Sequence, residues 1–145
     1  MYISNTATLP NEIIYKVIPN FPSYSISNIG QIISNIDNED MFDKYIWKHN
    51  RFQICLKNNI GQISNQYVDR LVAETFIDLP NNNSSTNQYI VRHYDFDNYN
   101  NIVENLYWVS KSDRRKELQE FRVKALAAKE IFLQNNQDYV FEFII

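Results

Sequence analysis

Apolar residues recur along this chain in short runs broken by polar turns, and the spacing inside each run assigns its element. Ile18 to Ser34 holds two apolar runs split by Ser27-Asn28-Ile29-Gly30. Asn and Gly tolerate a positive φ, so this reads as a tight turn between two short strands. Residues 35–44, with Asp37, Glu39, Asp40 and Asp43, read as a solvated loop. Apolar spacing returns from Tyr45 to Leu56. Lys57 to Gln62 then makes a second hairpin turn, and Ile63 to Val68 pairs back. A strand meander of this kind must bury one face against something.

The period then changes. Val68, Leu71, Val72, Thr75 and Phe76 follow the i, i+3, i+4 spacing of an amphipathic helix, with Asp69 near its N-terminus, where the helix dipole favours an acid. Pro80 stops it, and Asn81 to Gln88 is a polar loop. Tyr89 to His93 is a strand, Asp95 to Asn101 a turn, and Val103 to Leu106 a helical turn or helix start. Ser110 or Ser112 caps a long helix to about Leu133, with Leu118, Phe121, Ala125, Ala128 and Phe132 on one stripe. Tyr139 to Ile145 reads as a terminal strand whose apolar side is either a dimer edge or packed back on the first sheet. The class is α+β, without internal repeat or coiled coil.

At 145 residues the chain fits one domain or two very small modules sharing a core, and 44% hydrophobic with 14% aromatic content excludes global disorder. Net charge −3 and a pI near 5.3 sit awkwardly with nucleic-acid binding, which phosphate neutralisation drives. Distribution changes that picture. Lys111 to Lys129 carries seven basic residues against three acidic ones, a net of +4, so the rest of the chain carries −7. One cysteine, Cys55, excludes an internal disulfide framework and reads as a small buried apolar residue. His49 reads as a surface residue. No charged-then-apolar leader opens the chain and no apolar run approaches the roughly 20 residues of a membrane span. An intracellular protein is expected, in the cytoplasm or nucleus of a host cell or associated with a virion.

The chemistry concentrates in Val91-Arg92-His93-Tyr94-Asp95 and Asn100-Asn101-Ile102-Val103-Glu104-Asn105-Leu106-Tyr107-Trp108-Val109. A histidine on a short apolar run, an Asn-rich turn and Asn105 heading a second apolar run form a compact pattern. It resembles "VNHxDGxxxNNxxENLxWVT" of the HNH endonucleases. Ile18-Pro19-Asn20-Phe21 through Tyr24-Ser25-Ile26-Ser27-Asn28-Ile29-Gly30-Gln31-Ile32 to Ser34 resembles the "IPGF…Y.ISN.G.I.S" nuclease-associated modular motif found at the front of phage and intron-borne members. Tyr67-Val68-Asp69-Arg70-Leu71-Val72-Ala73-Glu74-Thr75-Phe76-Ile77 resembles the family's "VHRLVAxAFI" helix. Together the three cover roughly residues 12 to 115.

That resemblance implies a strand-rich module over residues 1–66, a ββα-metal (His-Me) finger over 67–112 and a C-terminal helix and strand over 113–145. It implies binding of double-stranded DNA and metal-dependent phosphodiester cleavage, in which a histidine deprotonates water and one Mg²⁺ or similar divalent ion stabilises the transition state. The matched positions are His93 as general base, Asn105 as a metal ligand from the helix, and Asn101, with Asn100, bracing the loop. Arg70, Arg114, Arg115 and Lys116 are the candidate DNA contacts, and Trp108 is the core residue locking the finger down. Arg92 stands where the family has Asp or Asn, and a guanidinium has no lone pair for a cation. Asp95 or Asp97 is the substitute ligand if one is supplied. Asp69 replaces a family histidine with an acid, expected to repel phosphate. The alternative is a catalytically inactive HNH-fold protein reused as a structural, virion or interaction component, and a homodimer through the C-terminal helix or strand is compatible with either.

Overall fold

The computed structural model describes residues 10–81 and 85–135. Among these the chain forms β1 (Tyr15–Ile18), β2 (Phe21–Ser27), β3 (Ile32–Ser34), β4 (Ile46–Lys48), β5 (Arg51–Lys57) and β6 (Ile63–Tyr67), then α1 (Val68–Phe76), β7 (Tyr89–His93), β8 (Leu106–Ser110) and α2 (Lys111–Asn135). Strands β1-β2-β3 and β4-β5-β6 make two three-stranded antiparallel sheets, and β7 pairs with β8 in a two-stranded one. The class is the expected α+β. The expected terminal strand Tyr139 to Ile145 lies outside the described residues.

Residues 10–109 form one unit and α2 belongs to a second. In the first, α1 is the hub. Its Val68, Leu71 and Val72 join Ile18, Phe21, Ile26, Ile32, Ile54, Leu56 and Leu106 in one apolar core. Ala73 on the next face meets Tyr89 and Trp108 in a second cluster. Trp108 also donates its indole N–H to the Ile77 carbonyl at 3.0 Å, so a large ring is buried without orphaning its donor. Strand-rich front and finger thus share one core, because residues of both sheets, of α1 and of β8 (Leu106) pack together in it.

Three local expectations are revised. Tyr45 to Leu56 is broken by a two-residue hairpin at His49 and Asn50, both at positive φ (55° and 60°), the geometry that suits the strand twist. Cys55 is exposed, because β5 alternates and turns Ile54 and Leu56 inward. The stripe on α2 is not buried within its unit: Leu118, Phe121 and Phe132 are exposed, and none of the helix's residues is buried. Its N-terminus is capped as expected, Ser110 Oγ accepting from the Asp113 N–H at 3.0 Å.

Candidate functional site

His93 ends β7, which places its imidazole inside the first unit at 6% exposure. Its Nε2 lies 2.8 Å from Oδ1 of buried Asn101. An amide oxygen only accepts, so Nε2 is the donor in this bond. Asn101 is itself fixed from behind. Gly30, at φ +84°, lets the β2–β3 turn approach so closely that a Cβ there would stand 3.2 Å from Asn101 Cβ and 3.4 Å from its carbonyl oxygen. One step further along, the Val103 N–H donates to the Asn28 carbonyl at 3.0 Å. Asn28 in turn donates to the Glu12 carbonyl and accepts from the Ile14 N–H. The first motif therefore serves as the backstop of the histidine loop.

The loop between β7 and β8 is bound together by Asp95 and Asn105. Asn105 is fully buried, on a single 3-10 turn ahead of β8. Its amide donates to Asp95 Oδ1 and to the Asn100 carbonyl, both at 2.8 Å, and its Oδ1 accepts from the Asp95 N–H at 3.1 Å. Asp95 also accepts from the Asp97 N–H and, through Oδ2, from the Asn100 amide, each at 2.8 Å. Burial is the largest single influence on Asp95 and pushes it up. The Asp97 N–H, the Asn100 and Asn105 amides and nearby His93 together outweigh burial, so the carboxyl is held below its ordinary value. Asn105, expected as a ligand from the helix, sits on a 3-10 turn and braces the loop, while Asn101, expected to brace the loop, faces the histidine.

Asp69 was expected to repel phosphate, and its surroundings show otherwise. It is 3% exposed on the first turn of α1 and is held by the Arg51 guanidinium, Nε to Oδ2 at 2.9 Å and Nη2 to Oδ1 at 2.5 Å. Arg51 lies over the Tyr67 ring at 3.6 Å, and Asp69 Oδ2 stands 3.9 Å from His93 Nε2. The acid is neutralised inside the protein. Nothing in the sequence paired Arg51 with Asp69, 18 residues apart.

Arg70 is likewise drawn inward. It donates to Glu74 at 2.8 Å, to the Tyr89 carbonyl at 2.9 Å and to the Thr86 carbonyl at 2.5 Å, and it lies 5.4 Å over the Trp108 ring. Two of its nitrogens tie α1 to the start of β7 and the turn before it, and a third holds Glu74 on α1 itself, so much of the Arg70 guanidinium is engaged within the fold. Arg114, Arg115 and Lys116 are exposed on the first turns of α2.

The outer loop also leans on the β4–β5 hairpin. Trp47 and Tyr99 stack with ring centres 4.0 Å apart and 3° between planes, and Asn98 donates to the Asn50 carbonyl at 2.8 Å. A cleft of about 300 Å³ opens beside Asn101, with Phe42, Tyr45, Phe52 and Tyr99 on its walls.

A one-metal centre needs oxygen ligands close to the histidine. Among the described residues no three His, Cys, Asp or Glu side chains converge on a common point. Arg92 occupies the position before His93, Asn105 is fully enclosed with its amide engaged, and both Asp95 oxygens hold the loop. This donor set does not fit a divalent ion.

No family model matches the chain. It is 34% identical over 105 residues to a protein named as an uncharacterized HNH endonuclease of Acanthamoeba polyphaga mimivirus, a match covering 69% of this chain and 24% of that one. The chain thus spans about a quarter of that relative's length. Its fold is similar to that of the HNH homing endonuclease I-HmuI, solved for its DNA binding and cleavage, with a TM-score of 0.58 and 24% identity over 84% of this chain and 68% of that one. The homologous sequence and the shared α+β fold place this chain in the HNH endonuclease family.

Proposed function

We propose that this chain binds double-stranded DNA on an HNH scaffold and does not cleave it by the one-metal route that HNH nucleases generally use. The observation that carries the second half is the donor set. Arg92 brings a permanent positive charge to a ligand position, and Asp95 and Asn105, the two loop side chains expected as ligands, are engaged in bracing the loop. His93 keeps its place at the end of β7, its Nε2 held 2.8 Å from Asn101 Oδ1. A base without a charge-stabilising partner supplies only part of the acceleration that phosphodiester hydrolysis needs.

Support for DNA binding comes from the family and from the basic run at the start of α2, where phosphate contacts would carry the affinity. The acidic remainder of the chain makes that affinity modest and salt-sensitive. Two assays on the purified protein test the proposal: retardation of a duplex at low and moderate salt, and plasmid nicking with Mg²⁺ or Mn²⁺ beside His93→Ala. Retardation without nicking is expected. Nicking that disappears in His93→Ala would overturn the loss of metal chemistry.

One observation favours a second reading, an interaction protein that has left DNA altogether. The net charge is −3, and Arg70, a candidate DNA contact, is engaged inside the fold. Failure to retard a duplex even at low salt would select it.

A further inference from the structure

Phe96 is the most exposed large apolar residue described, at 90%, and it stands three positions after His93 in a backbone conformation that a bulky side chain rarely adopts, φ +59°. The sequence pattern that this loop resembles has glycine at that position, which would meet the positive φ without steric cost. Here the strain is accepted and the ring is left in water, so neither local geometry nor packing accounts for a phenylalanine. The loop is nevertheless fixed on both sides of it. The Phe96 N–H donates to the His93 carbonyl at 3.2 Å, the Asp97 N–H to Asp95 Oδ1 at 2.8 Å and the Tyr99 N–H to Asp97 Oδ1 at 3.0 Å. Tyr94 and Tyr99, on the same loop, are 60% and 62% exposed. Each is backed by a stacked ring, Tyr107 at 4.3 Å and Trp47 at 4.0 Å.

We propose that Phe96 is a wedge that inserts between adjacent base pairs of duplex DNA. This rests on the DNA-binding reading above. The chemistry selects a base stack as the occupant. A single apolar ring held rigidly on a polar loop offers too little area for a protein partner, whereas apolar side chains on DNA-binding proteins enter base steps, unstack them and kink the duplex. Aromatic rings stack on bases with little regard to sequence, so the contact needs no base-specific hydrogen bond. Asp97 on the same loop is exposed and repels the backbone, so the contact gains from the stack rather than from phosphate. Because the loop is preformed, insertion orders no new segment of chain.

The test compares the full-length protein with Phe96→Gly, Phe96→Ala and Phe96→Trp, in EDTA so that nicking is silent. Binding is measured by retardation of a 30-base-pair duplex, and intercalation by the linking-number change of a plasmid relaxed by a metal-independent topoisomerase in the protein's presence. The expected result is plasmid unwinding by the native protein and by Phe96→Trp. Phe96→Gly and Phe96→Ala should not unwind it and should bind about tenfold more weakly. Phe96→Gly should also melt no lower than the native protein, since it relieves the backbone, which excludes misfolding as the cause of lost binding. A glycine variant that binds and unwinds like the native protein overturns the wedge and leaves DNA binding standing. Failure of the native protein to retard the duplex overturns both.

Discussion

Gly30 and Asn101 meet so closely that a methyl group on Gly30 would fall 3.2 Å from Asn101 Cβ, although 71 residues separate them along the chain. The turn that closes the first sheet thereby sets the position of the amide that faces His93. Gly30→Ala faces both this contact and a φ of +84°. We expect it to destabilise the protein by about 1–2 kcal/mol and to loosen the His93–Asn101 hydrogen bond. Chemical denaturation gives the first quantity, and the imidazole NMR signals the second. Unchanged signals alongside a full loss of stability would mean that the turn supports the fold without positioning the histidine.

The Arg51–Asp69 pair is buried on the acid's side, with side chains 29% and 3% exposed. Arg51→Ala leaves an unpaired carboxylate in the interior, whereas Asp69→Asn in the same background removes the charge. The single Arg51 change should cost about 3 kcal/mol and the double change clearly less, as measured by urea denaturation. Equal losses would mean that the pair's worth lies in the stacking of Arg51 on Tyr67.

Asp95 gives the fold a pH dependence of known sign. Its carboxyl is held below the ordinary value. Its stabilising effect is therefore complete above the unfolded value of about 4 and is lost as pH falls through the lower folded value. Asp95→Asn should lose stability at neutral pH and show a shallower decline below about pH 4 than the native protein. Parallel decline curves would place the acid sensitivity elsewhere.

Arg92→Asp restores one oxygen at the expected ligand position. Because Asn105 and Asp95 remain committed to the loop, this change alone should not produce Mg²⁺- or Mn²⁺-dependent plasmid nicking. Nicking that appears in Arg92→Asp, and vanishes when His93→Ala is added, would mean that the loop releases its oxygens to a metal.

Exposed Arg114, Arg115 and Lys116 and the clamped Arg70 should respond differently to removal. The triple alanine variant of the α2 residues should weaken duplex binding and flatten its salt dependence by up to about three units of slope, with little effect on melting. Arg70→Ala should mainly lower the melting temperature, since it unties α1 from β7. A salt slope that falls with Arg70→Ala and not with the triple variant would reverse these roles.

Sequence by itself determined most of the elements and their order, missing β1 and the hairpin at His49 and Asn50 that divides β4 from β5. A hairpin announces itself through Asn28 and Gly30, a helix through the spacing of Val68, Leu71, Val72 and Phe76, and a cap through Ser110, because each depends on residues within a few positions of one another. It also singled out His93 and the Asn-rich loop, since that motif is contiguous. Tertiary structure decided which side chains are free to act. Asp69 reads as an exposed acid until Arg51 is brought to it. β7 brings the Tyr89 carbonyl to Arg70, and the folded-back loop brings the Asp95 carboxylate to Asn105, partners that neither local motif names. Periodicity reports which face of an element is apolar. Hydrogen-bond capacity is filled by whatever the fold places nearby, and that is settled by contacts across long stretches of chain that no local pattern records.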